Sequence, residues 1–248
     1  MTREKAPRLL QAGDGCLVVE FGDAIDLAVN GRVQQLRRAI EKRPFVGLLE
    51  TVPTYRSLAL YFDPTRTETE GLFSRIEEMA LSVEDGPDDA GQVMTVPVLY
   101  GGDEGPDLEN VARHNGLSPE EVIARHSGRD YYCYMLGFTP GFSYLGGMDE
   151  SIATPRLATP RTLIPAGSVG IAGRQTGIYP IDSPGGWQLI GRTPLRLFDP
   201  SGETPILIEA GIWVRFRSVD RREFLSLSAD VAARRYRPQV GPRKGEGR

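Results

Sequence analysis

Lysine is almost missing from this chain. Of its 29 basic residues only Lys5, Lys42 and Lys244 are lysine. None lies between residues 131 and 200, which excludes a Schiff-base lysine there. A G-x-x-x-x-G-K-[ST] phosphate loop is absent throughout. Histidine is as scarce: His114 and His126 are the two present. That rules out a His-rich metal centre and an H-E-x-x-H metalloprotease site, so no metal site is expected. The two cysteines, Cys16 and Cys133, lie far apart in apolar runs and form no C-x-x-C pair. They are expected to be buried free thiols. No apolar run approaches the roughly 18 residues of a membrane span. The opening Met1-Thr-Arg-Glu-Lys-Ala-Pro-Arg8 lacks the apolar core of a signal peptide. The expectation is therefore a cytoplasmic protein with no membrane partner. A net charge of −4 gives no reason to expect a nucleic-acid partner.

What remains is an ordinary globular composition, 40% hydrophobic and 25% charged over 248 residues, enough for one large or two modest domains. Residues 1–12 read as a frayed lead-in. Cys16–Phe21 reads as a strand. Ile25, Val29, Val33, Leu36 and Ile40 then recur at helical spacing up to Lys42. Strands follow at Val46–Thr51 and Ser57–Phe62. A capping box of Thr67 with Glu70 is expected to open a second helix bearing Leu72, Phe73, Ile76 and Met79. Glu84–Ala90 is an acidic loop, and Gln92–Val96 a fourth strand. That β-α-β-β-α-β order predicts a ferredoxin-like split βαβ sandwich over residues 1–96.

Residues 97–233 read as a second, β-rich domain. Ser118-Pro-Glu-Glu121 is a capping box with Pro119 at the first helical position, and Gly128 is the expected C-cap. His126, at that helix end, suits a cap that compensates the dipole. Ile206–Glu209 and Ile212–Phe216 read as closing strands, and Asp220 with Glu223 caps a last helix. Residues 234–248 are basic and are expected to form a disordered tail.

Between Tyr131 and Pro200, glycine and proline are dense, yet aromatics and β-branched residues sit between them. This is the pattern of short strands joined by tight turns, not of a linker. Gly-rich turns can converge backbone N–H groups into an anion nest without lysine. Arg156, Arg161, Arg174 and Arg192 are candidate bidentate clamps for a carboxylate or phosphate. Asp182 is the carboxylate well inside the stretch and the candidate general base. Trp187 is as suited to a core as to a site wall. Gly141-Phe-Ser-Tyr-Leu-Gly146 looks like a nucleophile elbow but misses the G-x-S-x-G spacing by one residue.

Several motifs in this stretch carry a family resemblance. They are Tyr134-Met-Leu-Gly-Phe-Thr-Pro-Gly-Phe-Ser-Tyr-Leu-Gly-Gly147, Thr154-Pro-Arg-Leu-Ala-Thr-Pro-Arg161, Pro165–Gly173, Gln175–Pro180, Ser183–Trp187 and Gly191–Pro194. With Val52–Ser57 and Tyr100-Gly-Gly102, they closely resemble the family of KipI and the 5-oxoprolinase B subunit, also called allophanate hydrolase subunit 1. The resemblance spans roughly residues 14 to 220. It implies an α+β chain in which the N-terminal sandwich precedes a cyclophilin-like β-barrel. It implies work with a homologous, barrel-type C subunit (KipA-like) and a TIM-barrel-like A subunit. Together these would open 5-oxoproline to glutamate with ATP, the single chain being inactive alone. Relatives imply two alternatives: a KipI-like inhibitor of a sensor histidine kinase, and a carboxyltransferase or allophanate-hydrolase-type subunit of urea degradation.

The motif residues, filtered by chemistry, give the candidate site. Asp182, Arg161 and Tyr179 are assigned catalytic roles. Gly137, Phe138, Gly141, Tyr144, Gln175, Ser183, Gly185 and Arg192 are assigned to substrate binding. Arg161, Gln175, Tyr179 and Asp182 are expected to line one cleft with the Gly137–Gly147 loop, because each flanks a Pro or Gly turn.

Overall fold

The structure is a computed structural model and describes residues 6–84, 86, 92–202 and 204–243. The chain divides into two compact units, Met1–Ala90 and Gly91–Arg248. The Glu84–Ala90 loop lies largely outside the described residues.

The first unit contains strands β1 (Arg8–Gln11), β2 (Cys16–Glu20), β3 (Leu48–Pro53) and β4 (Ser57–Phe62), with helices α1 (Leu27–Lys42) and α2 (Leu72–Leu81). Its antiparallel sheet has the order β1-β2-β4-β3. Leu17 and Val19 of β2 and Leu58 and Leu60 of β4 alternate onto one face. There they bury Val33, Leu36 and Ile40 of α1 and Ile76 of α2. Asp26 caps α1, its carboxylate accepting the Ala28 and Val29 N–H groups. Ile25 stands outside the helix and is exposed.

Three sequence expectations are corrected here. The Thr67–Glu70 capping box does not form. The Thr67 hydroxyl donates instead to the Val46 carbonyl at 3.0 Å, and α2 starts from Gly71 in a left-handed conformation, φ 74°. The presumed lead-in supplies β1. The strand beginning at Gln92 is not the fourth strand of this sheet, so the connectivity is not the expected ferredoxin-like one. The position beside β2 belongs to β1, whose Leu9 packs on the core.

That later strand, β5 (Gln92–Tyr100), lies wholly in the second unit. The units therefore part at Ala90–Gly91 and not at residues 96–97. The second unit continues with α3 (Leu108–Asn115), α4 (Pro119–Ser127), β6 (Asp130–Leu136), β7 (Ser143–Gly146), β8 (Arg161–Ile164), β9 (Ser168–Ala172) and β10 (Gln175–Ile178). It ends with β11 (Ser183–Gly185), β12 (Gln188–Arg192), β13 (Trp213–Ser218), α5 (Arg221–Ala232) and β14 (Gln239–Pro242). The order β12-β9-β10-β7-β6-β13-β5 closes through a β12–β5 pairing into a seven-stranded barrel. β5 runs parallel to β13 from Val93↔Trp213 to Val98↔Ser218. β8 and β11 form a separate two-stranded flap. Val96, Val98, Ile171, Ile178, Val214 and Phe216 fill the barrel core, joined by Val111 of α3 and Val122 of α4.

Both α4 caps form as the sequence predicts: Ser118 accepts the Glu121 N–H, Glu121 accepts the Ser118 N–H, and Gly128 ends the helix. Asp220 caps α5 through the Glu223 N–H. The tail is corrected: residues 239–242 are β14, paired with β5, and the Arg243 guanidinium sits 3.6 Å from the Trp213 ring centroid. Residues 244–248 lie outside the described residues. The expected strand at 206–209 is reduced to one bridge, Ile206 with Phe198. Cys16 and Cys133 are separate buried thiols.

Candidate active site

β10 sets the site. Thr176 and Ile178 face the barrel interior, so Gly177 faces outward. A β-carbon at Gly177 would stand 3.1 Å from Phe142 Cζ and 3.2 Å from Trp187 Cζ3. On β9, one at Gly170 would stand 3.1 Å from Trp187 Cβ. The bare glycines thus let aromatic rings lie directly on the barrel wall. Phe142 is the hub, meeting Trp187, Tyr179, Tyr144 and Phe138 edge-to-face at centroid distances of 5.6, 5.7, 5.2 and 5.5 Å. A side chain at Gly185 would collide with the Tyr179 hydroxyl. Gly177→Val should lower stability by about 1–3 kcal/mol through overpacking. It should also shift Trp187 emission; an unchanged spectrum and melting temperature would contradict this packing.

The rings floor a cleft of about 300 Å³. Its lining is Phe138, Phe142, Tyr144, Arg156, Pro160, Tyr179, Pro184, Gly185, Gly186 and Trp187. Phe138 forms the rim, exposed, with φ 61°. A phenylalanine in the left-handed region is strained, and here hydrogen bonds hold it: Thr139 N–H to the Gly137 carbonyl at 2.7 Å, and Phe142 N–H to the Thr139 carbonyl at 3.0 Å. Burial pushes the Tyr179 phenol up to about 12, opposed by the Arg156 guanidinium, a hydrogen bond from the Trp187 backbone and the Arg161 guanidinium. Tyr179 is therefore a neutral hydrogen-bonding group, not a base, at neutral pH.

Of the sequence-predicted residues, Phe138, Tyr144, Tyr179 and Gly185 meet in this cleft, and Gly137 and Gly141 belong to the loop that carries Phe138. The others do not line it. Arg161 donates to Asp107 at 2.8 Å and to the Trp187 carbonyl at 3.4 Å. Asp182 is exposed and accepts the Ala166 N–H at 2.8 Å. Ser183 is buried and donates to the Ile181 carbonyl. Gln175 starts β10 opposite Ala172. Arg192 donates to the Ala166 carbonyl and to Glu104, and lines a different groove, against α5. The expectation of one cleft for Arg161, Gln175, Tyr179 and Asp182 is thereby corrected. Flanking a turn does not present a side chain to ligand when the turn's own backbone or a distant carboxylate takes it up.

Sequence reasoning missed Phe142, Pro160 and Pro184 as lining residues. The signal for Phe142 was available: residues two apart on β7's approach share a face, so Phe142 belongs with Tyr144. Ser143 points to the opposite side and is fully buried, with no hydrogen-bond partner for its hydroxyl among the described residues. It is not a nucleophile for this cleft. His126 is no helix cap but a buried core group, bonded to the Tyr100 hydroxyl and to Thr176. No cluster of His, Cys, Asp or Glu among the described residues is arranged to hold a metal ion. No helix among them is long and apolar enough to cross a membrane.

The family model for the carboxyltransferase domain, subdomain C and D, matches residues 7–208. The chain is 45% identical over 224 residues to the 5-oxoprolinase B subunit of Bacillus subtilis, covering 86% of this chain and 93% of that one. Among solved structures, TTHA0988 matches with a TM-score of 0.74 at 38% identity over 83% of this chain. This chain spans 40% of the length of that one. Protein PH0987 from Pyrococcus horikoshii, described as conserved and uncharacterized, is 47% identical with a TM-score of 0.53, covering 88% of this chain and 100% of that one.

Proposed function

From the premise that the chain belongs to the 5-oxoprolinase B-subunit family, within the carboxyltransferase C and D domains, we propose that it is one component of an enzyme that opens 5-oxoproline to glutamate. The carrying observation is the 45% identity that runs over 93% of the Bacillus subtilis protein's length. In this reading the seven-stranded barrel is of the cyclophilin-like type, and the enzyme works in the cytoplasm.

The cleft's composition explains why one chain would not suffice. Opening a lactam needs a group that activates water and a means of polarising the amide. Among the described residues no carboxylate, imidazole or thiol lines the cleft. The activating group must come from a partner chain, in keeping with a relative that is itself one subunit among several. The same holds for ATP. A triphosphate asks for several converging cationic and backbone donors. Here Arg161, Arg174 and Arg192 are each engaged with a carboxylate, of Asp107, Glu150 and Glu104, and the glycine turns carry no lysine. These three arginines of the motif region are thus already engaged, which favours a reading in which ATP binds a partner. The partners are a homologous, barrel-type C subunit (KipA-like) together with a TIM-barrel-like A subunit.

The isolated chain should release no glutamate from 5-oxoproline and ATP, and adding the A and C subunits should produce glutamate and phosphate together. Robust turnover by the single chain would overturn the division of labour; silence from the assembled mixture would overturn the reading. The matching carboxyltransferase domain favours one second reading, transfer of a carboxyl group from a biotinylated partner. Recovery of a biotinylated protein, in place of the A and C subunits, on co-purification would select it. Recovery of a sensor kinase would instead point to the KipI-like role.

A further inference from the structure

Four arginines of the motif region are chemically able to hold an anion, and the structure separates them. Arg161 is paired with Asp107, Arg174 with Glu150 and Arg192 with Glu104. Arg156 lines the aromatic cleft and pairs with no carboxylate among the described residues. Its placement is fixed by backbone on both sides. The Pro155 carbonyl accepts from Gln188 Nε2 at 2.9 Å, and the Leu157 N–H donates to the Gly186 carbonyl at 2.7 Å. The backbone on either side of this exposed arginine is thus held against Gly186 and Gln188, which flank Trp187, and the arginine lines a cleft floored by rings with no acid among its described lining residues.

We infer that Arg156 is the residue that recognises the substrate's carboxylate, and that this cleft takes a small ring carrying one carboxylate and one amide. This rests on the 5-oxoprolinase reading and adds the site to it. One planar guanidinium matches one carboxylate bidentately, whereas a phosphate or polyphosphate calls for more donors than the cleft has. The Phe142, Tyr144 and Trp187 rings cover the methylene side of such a ligand, the usual division between apolar walls and a few polar anchors. The Tyr179 oxygen accepts from the Trp187 backbone. In this reading the neutral Tyr179 phenol, which lines the cleft, donates its hydrogen to the lactam carbonyl. Arg156 and Tyr179 together would orient the ring so that the amide faces the partner's activating group. Arg156 recognises and Tyr179 orients; neither abstracts a proton.

The chain has two tryptophans, Trp187 in the cleft and Trp213 on β13. A Trp213→Phe background makes Trp187 emission a report on the cleft. Titration with 5-oxoproline should give a saturable change. 2-Pyrrolidinone, the same lactam without the carboxylate, should bind roughly tenfold or more weakly. Arg156→Gln should abolish that preference and leave the melting temperature unchanged, because the side chain is exposed. In the assembled enzyme Arg156→Gln should raise KM for 5-oxoproline by roughly tenfold or more and leave KM for ATP alone. A wild-type KM for 5-oxoproline in the Arg156→Gln complex overturns the inference and leaves the 5-oxoprolinase reading intact. A wild-type complex that does not open 5-oxoproline overturns the 5-oxoprolinase reading. The titration then decides by itself: a carboxylate-dependent response sustains the cleft's ligand class, and no response, or an equal one to 2-pyrrolidinone, ends it.

Discussion

Asp107→Ala should cost about 3–5 kcal/mol of stability, as removal of one member of a largely buried ion pair does. Melting of the second unit should fall by roughly 6–20 °C. Asp107 directly precedes α3 and ties three elements together. One carboxylate oxygen accepts from Arg161 at 2.8 Å, the other from the Leu189 N–H at 2.7 Å, and its own N–H donates to the Leu189 carbonyl at 2.8 Å. Arg161 reaches on to the Trp187 carbonyl. Alanine would leave the half-buried guanidinium with only its long bond to the Trp187 carbonyl, and the buried Leu189 N–H without its carboxylate acceptor. Arg161→Ala removes the more exposed partner and should cost less, about 1.5–3 kcal/mol. The double variant should be more stable than the sum of the two losses implies, since each single change strands the other group. Thermal or urea denaturation of the three variants checks this; a melting temperature unmoved by Asp107→Ala would show that the clasp is not structural.

His126→Ala should be comparably damaging, about 3–5 kcal/mol from the lost volume and the stranded hydroxyls. The imidazole is fully buried, 4.5 Å from the Phe216 ring and 5.5 Å from Tyr131. Its tautomer follows from its neighbours. The Thr176 hydroxyl spends its hydrogen on the Gly170 carbonyl at 3.0 Å, so it accepts from His126 Nε2 at 2.8 Å. Nδ1 is then the acceptor for the Tyr100 hydroxyl at 2.7 Å. Burial holds this imidazole neutral, pushing its pKa from 6.5 down to about 3. On acidification the unfolded chain takes up the proton first. Stability is therefore complete above about pH 6.5 and is lost as pH falls toward about 3, by about 1.4 kcal/mol per pH unit. Asp149, Asp199 and Glu223 also have lowered pKa values, but their ordinary values of 3.8 and 4.5 place their effect lower. Denaturation midpoints between pH 7.5 and 4.5 should slope downward in the wild type and much less in His126→Gln. Parallel slopes would sink the assignment.

These two cores show where sequence reading stops. The α4 caps at Ser118, Glu121 and Gly128, the α5 cap at Asp220, and the apolar stripes of α1, β2 and β4 were all legible. So were the motifs that place Phe138, Tyr144, Tyr179 and Gly185 together. In the caps and stripes the deciding interaction joins residues two to four apart, or repeats with the pitch of the element itself. The partner of β5 was not legible. As an apolar, β-branched strand it suits either sheet, and its pairing with β13, more than a hundred residues later, is chosen by which barrel it completes. Thr67 reads as a cap until the Val46 carbonyl, distant in sequence, competes for it. Arg156, Arg161, Arg174 and Arg192 are chemically equivalent as text. Which of them is spent on a carboxylate and which is left facing the cleft depends on where Asp107, Glu150 and Glu104 arrive in space. Local hydrogen bonds and periodicity are written into neighbouring residues. The partners of strands, hydroxyls and guanidiniums are settled by competition across the whole fold, and that competition decided the site.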